Sequence, residues 1–253
     1  MVPGIISNLN VAENLPPWRT LLGNLADYAR VLTFDKRGQG LSDPSLTTPT
    51  LEDRTRDIEA VMEEAGIKRA ILLGISEGGP ISIHFAHSHP ERVQGLILIG
   101  TTARFTQSDD FPIGLPRHHI ERLADLWGTG ALRDTFFPGL SRDLIDDETY
   151  RSMERLIGPR TTVRQVVEMM VKTDVRSLLP DIHVPTLVIH FAGDLAIPIR
   201  LGRFVAENIP AAEFLEVNAV DHVDLSHSPA AIERIRRFCE DISHGETDRR
   251  PRA

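Results

Sequence analysis

Ten residues constrain this chain most: Ile71-Leu72-Leu73-Gly74-Ile75-Ser76-Glu77-Gly78-Gly79-Pro80. An apolar run of β character leads into a glycine-bounded turn, and a helical pattern over residues 79–88 follows. Gly74-Ile75-Ser76-Glu77-Gly78 matches G-x-S-x-G, a strand–turn–helix device that holds a serine in a strained conformation with its hydroxyl lifted above a sheet. Gly74, Gly78 and Gly79 leave room for strand and helix to pass closely. Five residues alone are a weak pattern, so the rest of the chain has to supply the context.

It does so by alternation. Residues 1–6 read as the end of a strand running into a glycine turn. Residues 15–28 read as a helix with Trp18, Leu21, Leu22 and Leu25 on one face, and residues 29–34 as a strand. A glycine-punctuated loop, residues 35–43, precedes a helix over 51–65 that Gly66 terminates. Strands are expected at 69–73, 93–99, 186–190 and 213–217, and further helices at 201–208 and 229–241. Apolar strands alternating with helices imply a parallel sheet covered on both faces.

The alternation lapses over residues 104–177, where helical patterns are interrupted by Pro112, Pro116, Gly128, Pro138 and Pro159. This stretch is read as a helical cap inserted into a core made of residues 1–103 and 178–243. Residues 244–253, polar with Arg249, Arg250 and Arg252, are expected to be a flexible tail.

Charge and composition narrow the partners. A formal net charge of -8 disfavours nucleic acid and anionic membrane, which both select a basic face. Cys239 is the single cysteine, so no intrachain disulfide can form, and neither a leader pattern nor an apolar run of ~18 residues is present. The expected setting is the cytoplasm, with a small molecule as partner; the oligomeric state is left open.

A serine hydroxyl becomes a nucleophile when a base takes its proton and a third group orients that base. Ligands of parallel sheets bind beyond the carboxyl ends of the strands, so base and acid belong on loops that follow strands. Among ten histidines, His222 follows the 213–217 strand and is the preferred base, with His227 behind it. Asp194, three residues past an apolar strand, is the preferred orienting acid; Asp221 and Asp224 are too near His222 in sequence. Ser76, Asp194 and His222 occur in the order expected with this elbow. The backbone amides of Glu77 and Ile5 are the candidate oxyanion donors.

Other histidines have plainer readings. His84, His87 and His89 are spaced as metal ligands could be, but lack accompanying carboxylates or thiolates, and read as surface or packing residues. His118 and His119 could touch substrate, whereas His183 and His190 read as structural. Residues 35–43 lack the phosphate-loop pattern and read as a structural turn. No metal and no cofactor is expected.

Phe34-Asp35-Lys36-Arg37-Gly38-Gln39-Gly40-Leu41-Ser42-Asp43, the Ser76 turn, Val184-Pro185-Thr186-Leu187-Val188-Ile189 with Gly193-Asp194, and Asp221-His222 together resemble the α/β-hydrolase superfamily over nearly the whole chain. Val2-Pro3-Gly4, where many members have His-Gly, resembles bacterial hydrolase modules that are sometimes fused to nucleotide cyclase domains; no cyclase sequence is present here.

The resemblance implies an α/β-hydrolase fold: an eight-stranded, mostly parallel, doubly wound sheet with a helical cap between strands six and seven. It also implies that the third strand lies between residues 29–34 and 69–73. Met1 and Val2 are all that stands for that strand, so the first two to three strands are expected to be missing and an N-terminally extended form to be the more stable. The activity implied is that of a serine hydrolase on a carboxylester, thioester or lactone of a partly apolar acyl substrate. A C–C bond hydrolase, a cofactor-free perhydrolase and a non-catalytic binding module on the same fold are the alternatives. Related haloalkane dehalogenases and epoxide hydrolases carry aspartate where Ser76 stands.

Overall fold

A computed structural model describes residues 1–247. Two short helices open it, α1 (Leu9–Asn14) and α2 (Pro16–Ala26), followed by α3 (Leu51–Glu64). Asn8 caps α1 by accepting from the Val11 amide. Pro16 and Pro17 start α2, where a missing N–H costs nothing. A reciprocal box between Thr50 and Asp53 starts α3, which stops at Gly66 with φ of 67°.

Then come β1 (Ala70–Ile75), α4 (Gly78–Ser88), β2 (Val93–Ile99), β3 (Thr186–Phe191), α9 (Ile199–Asn208), β4 (Glu213–Val217) and α10 (Pro229–Thr247). Between β2 and β3 lie α5 (Arg117–Leu126), α6 (Arg133–Phe136), α7 (Asp147–Ile157) and α8 (Arg160–Lys172).

The four strands are all parallel in the order β1-β2-β3-β4. Ile99 pairs with Ile75 on one side and Ile189 on the other, so the carboxyl ends of β1, β2 and β3 are level. Helices cover both faces, as the alternation requires. One face packs Leu73, Ile75, Ile97, Ile99, Leu187 and Ile189 with Trp18, Leu21, Ile235 and Phe238. The other packs Leu72, Leu96, Leu98 and Val188 with Ile58, Met62, Ile81 and Val205. Among the described residues, no helix is long and apolar enough to cross a membrane.

The strand expected at residues 29–34 does not form. Among the described residues, Met1 and Val2 lie between it and β1. Val2 makes a parallel bridge to Gly74, donating to the Leu73 carbonyl at 2.8 Å and accepting from Ile75 at 3.1 Å. The Met1 amine donates to the Leu32 carbonyl at 2.5 Å. Beyond these contacts a cavity of about 600 Å³ separates residues 29–34 from β1. With no ladder to join, the backbone of 29–34 carries strand propensity without strand pairing. At the other end α10 runs past His244 to Thr247, into the expected tail; residues 248–253 lie outside the described residues.

Candidate active site

Ser76 sits at the carboxyl end of β1 with φ of 52°, a left-handed conformation that non-glycine residues rarely adopt. The turn is held from β2: the Ser76 amide donates to the Ile99 carbonyl at 2.9 Å, and Thr101 Oγ1 donates to the Ser76 carbonyl at 2.5 Å. A Cβ on Gly74 would lie 2.5 Å from Ser82 Oγ; on Gly78 it would collide with the Val2 carbonyl oxygen and on Gly79 with Thr101. The small residues are therefore required by the close passage of α4 over the strand ends. On the open side, a Cβ on Gly4 would come 2.8 Å from Ser76 Cβ, so residues 4–5 pass directly over the serine.

Asp194 follows β3 and is 5% exposed. Its Oδ1 accepts from the Ala196 and Ile197 amides, each at 2.9 Å, leaving Oδ2 to accept from His222 Nδ1 at 2.7 Å. A carboxylate oxygen can only accept, so Nδ1 is the donor in this bond. Nε2 is buried and has no hydrogen-bond partner, so the imidazole and the Ser76 hydroxyl are not joined by a hydrogen bond in this structure. Such contacts are often open until substrate binds.

The inserted helices hold this loop in place. The His222 amide donates to the Phe136 carbonyl at 2.6 Å, the Phe136 ring lies 5.6 Å from the imidazole, and Gly139 donates to Asp221 Oδ1 at 2.6 Å. Val223 next to His222 has φ of 60°, a costly conformation for a β-branched residue.

The structure thus brings Asp194 and His222 into contact. His227 is exposed, and Asp221 and Asp224 bond backbone amides of Gly139 and Ser226. His190 is fully buried beneath the site, its Nε2 on the Ile197 carbonyl at 2.7 Å and 3.7 Å from Asp194 Oδ2; burial holds it below the usual histidine range. His84, His87 and His89 face separate carboxylates, Glu52, Asp181 and Glu59, and no metal-binding cluster occurs among the described residues.

Ser76 and Ile5 line a cavity of about 410 Å³ walled by apolar side chains that include Phe105, Leu115, Ile120, Leu132 and Met170. His119 and Arg122 are among its polar lining residues, while His118 packs edge-on against His119 at 4.4 Å. The size suits a small organic ligand, and the walls suit an apolar one.

Two functional candidates were missed by sequence reasoning. Lys36 lies in the loop read as a turn, yet it is buried and ion-paired with the side chain of Glu77, the residue after Ser76. Gln39, equally buried, donates to the Ile5 carbonyl at 2.8 Å. The available signal was an ionisable residue at the second position of Asp35-Lys36-Arg37-Gly38 together with one inside the serine turn.

Known proteins share this fold. Residues 24–221 match the family model described as serine aminopeptidase, S33. The 3-oxoadipate enol-lactonase 2 of Acinetobacter baylyi is 26% identical over 229 residues, covering 90% of this chain and 85% of that protein. The karrikin insensitive 2 receptor CA of Petunia hybrida is 24% identical, covering 85% of this chain and 83% of the receptor. Among solved structures, the enol-lactonase from Burkholderia xenovorans superposes with a TM-score of 0.77 at 25% identity, over 94% of this chain and 88% of that one.

Proposed function

Because this chain belongs to the α/β-hydrolases of the serine aminopeptidase S33 family, we propose that it is a serine hydrolase cleaving an ester-type bond of a partly apolar acyl substrate in the cytoplasm. A carboxylester, thioester or lactone meets the description. Ser76 Oγ attacks the carbonyl carbon while its proton passes to His222 Nε2. Asp194 holds the imidazole in the required tautomer and stabilises the imidazolium. The amides of Ile5 and Glu77 receive the oxyanion, aided by the positive end of α4. Collapse expels the alcohol or thiol, which takes the proton from His222. Water, deprotonated by the same imidazole, then releases the acid from Ser76.

The observation that carries this reading is the buried 2.7 Å bond from His222 Nδ1 to Asp194, which leaves a desolvated Nε2 without a partner. A solvated loop histidine would have no reason to be built so. Labelling with an active-site serine phosphonate tests it: the wild type should label and Ser76→Ala should not. Labelling of both, or of neither, refutes the assignment. A second reading, ligand perception without turnover, is favoured by the similarity to the petunia receptor. It predicts ligand binding by a protein that turns over no p-nitrophenyl ester.

A further inference from the structure

Lys36 and Glu77 are each 1% exposed and form an ion pair directly behind the serine turn. Burying two charges carries a large desolvation cost, and a well-packed apolar pair in their place is often as stable or more so. Stability of the fold is thus a poor reason for this pair, and its position suggests another. Glu77 supplies one candidate oxyanion amide and is the N-cap residue of α4. Ile5 supplies the other, in a segment that the Lys36 loop grips at three points. Asp35 Oδ1 accepts from Leu9 at 2.8 Å, the Lys36 amide donates to Ser7 Oγ at 2.9 Å, and Gln39 donates to the Ile5 carbonyl at 2.8 Å.

We propose that the Lys36–Glu77 ion pair, together with Gln39, sets the spacing of the two oxyanion amides, making Lys36 and Glu77 positioning residues for the reaction; this rests on the hydrolase reading above. The pair acts in two ways. It ties the turn bearing the Glu77 amide to the loop that fixes Ile5, so that neither donor can shift alone. It also neutralises a carboxylate that sits one residue from the developing oxyanion. Glu77 Oε1 has no hydrogen-bond partner, so Lys36 is the group that compensates the charge. Without Lys36, a buried anion would oppose the anion of the transition state, in surroundings where screening is weak.

The charged groups facing Lys36 are Glu77 at the N-cap of α4 and Arg54 and Asp57 from α3. Burial is the largest influence on its ammonium and brings it down to about 8, with Glu77 opposing the drop. Loss of that proton should then switch the compensation off at moderately alkaline pH.

The test compares the wild type with Lys36→Met, Glu77→Gln and the double variant on p-nitrophenyl butyrate, with thermal melts alongside. Lys36→Met should lower kcat at least tenfold, towards the ~10²–10³ that loss of one oxyanion donor costs, with KM changed less than threefold. The double variant should recover the part of that loss caused by the unpaired carboxylate but not the part caused by losing the tie between the two segments, and should lack the fall in kcat above about pH 8 expected of the wild type. Should Lys36→Met not fold, Glu77→Gln and the double variant still report on the alkaline limb. A Lys36→Met kcat within twofold of wild type, or an unchanged alkaline limb in the double variant, overturns the proposal while leaving the hydrolase reading intact. Absence of wild-type turnover and of phosphonate labelling overturns both.

Discussion

Replacing Asp194 by Asn tests the site with the least disturbance of the fold. The three bonds that Asp194 accepts divide between its two oxygens: Oδ1 takes the Ala196 and Ile197 amides and Oδ2 takes His222. An Asn side chain can keep its carbonyl on the two amides, so the turn into α9 survives. Its NH₂ group then faces His222 Nδ1. A donor there forces Nδ1 to accept, which moves the ring proton to Nε2 and removes the lone pair that the proposed attack by Ser76 requires. The expected fall in kcat is about 10⁴, the size of effect produced when an orienting aspartate is made amide with geometry intact. That is roughly 5–6 kcal/mol of transition-state stabilisation, far above the ~1.5–3 kcal/mol expected from a lost charge-assisted hydrogen bond in stability. Steady-state turnover of p-nitrophenyl butyrate measures the first and thermal melting the second. A variant that keeps kcat within tenfold of wild type, while folded, would refute the role given to Asp194 and with it the tautomer assigned to His222.

Three further outcomes are expected. Gly78→Ala places a Cβ against the Val2 carbonyl oxygen and should cost ~1–3 kcal/mol, read as a lowered denaturation midpoint, whereas Gly23→Ala, which meets nothing, should not lower it. Burial raises the Glu154 carboxyl above its ordinary value of 4.5, so the folded protein holds that proton more tightly than the unfolded chain. Stability should therefore fall as pH rises from 4.5 through the raised value, and Glu154→Gln should flatten that slope in melts taken across the range. A strand-forming, apolar six-residue extension joined to Met1 should enter the cavity beside β1 and raise Tm by at least ~2–4 °C, the shift that about 1 kcal/mol makes in a chain of this size; an unchanged Tm would show that the space does not accept a strand.

The Ser76 turn and the strand–helix alternation were legible in the sequence because each is governed by neighbours within a dozen residues, and such alternation implies a parallel sheet. Turn glycines, a capping box and apolar runs act locally, and Asp194 and His222 could be chosen because strand ends converge on one edge of such a sheet. Tertiary structure alone decided the rest. Residues 29–34 have the composition of a strand and are not one, since a strand exists only where a partner offers a ladder. The contacts of Phe136 and Gly139 with the His222 loop join segments more than eighty residues apart. Lys36 and Glu77, 41 residues apart, look like two surface charges until the fold buries both behind Ser76. Burial and long-range pairing are properties of the assembled layers, and no local pattern encodes them.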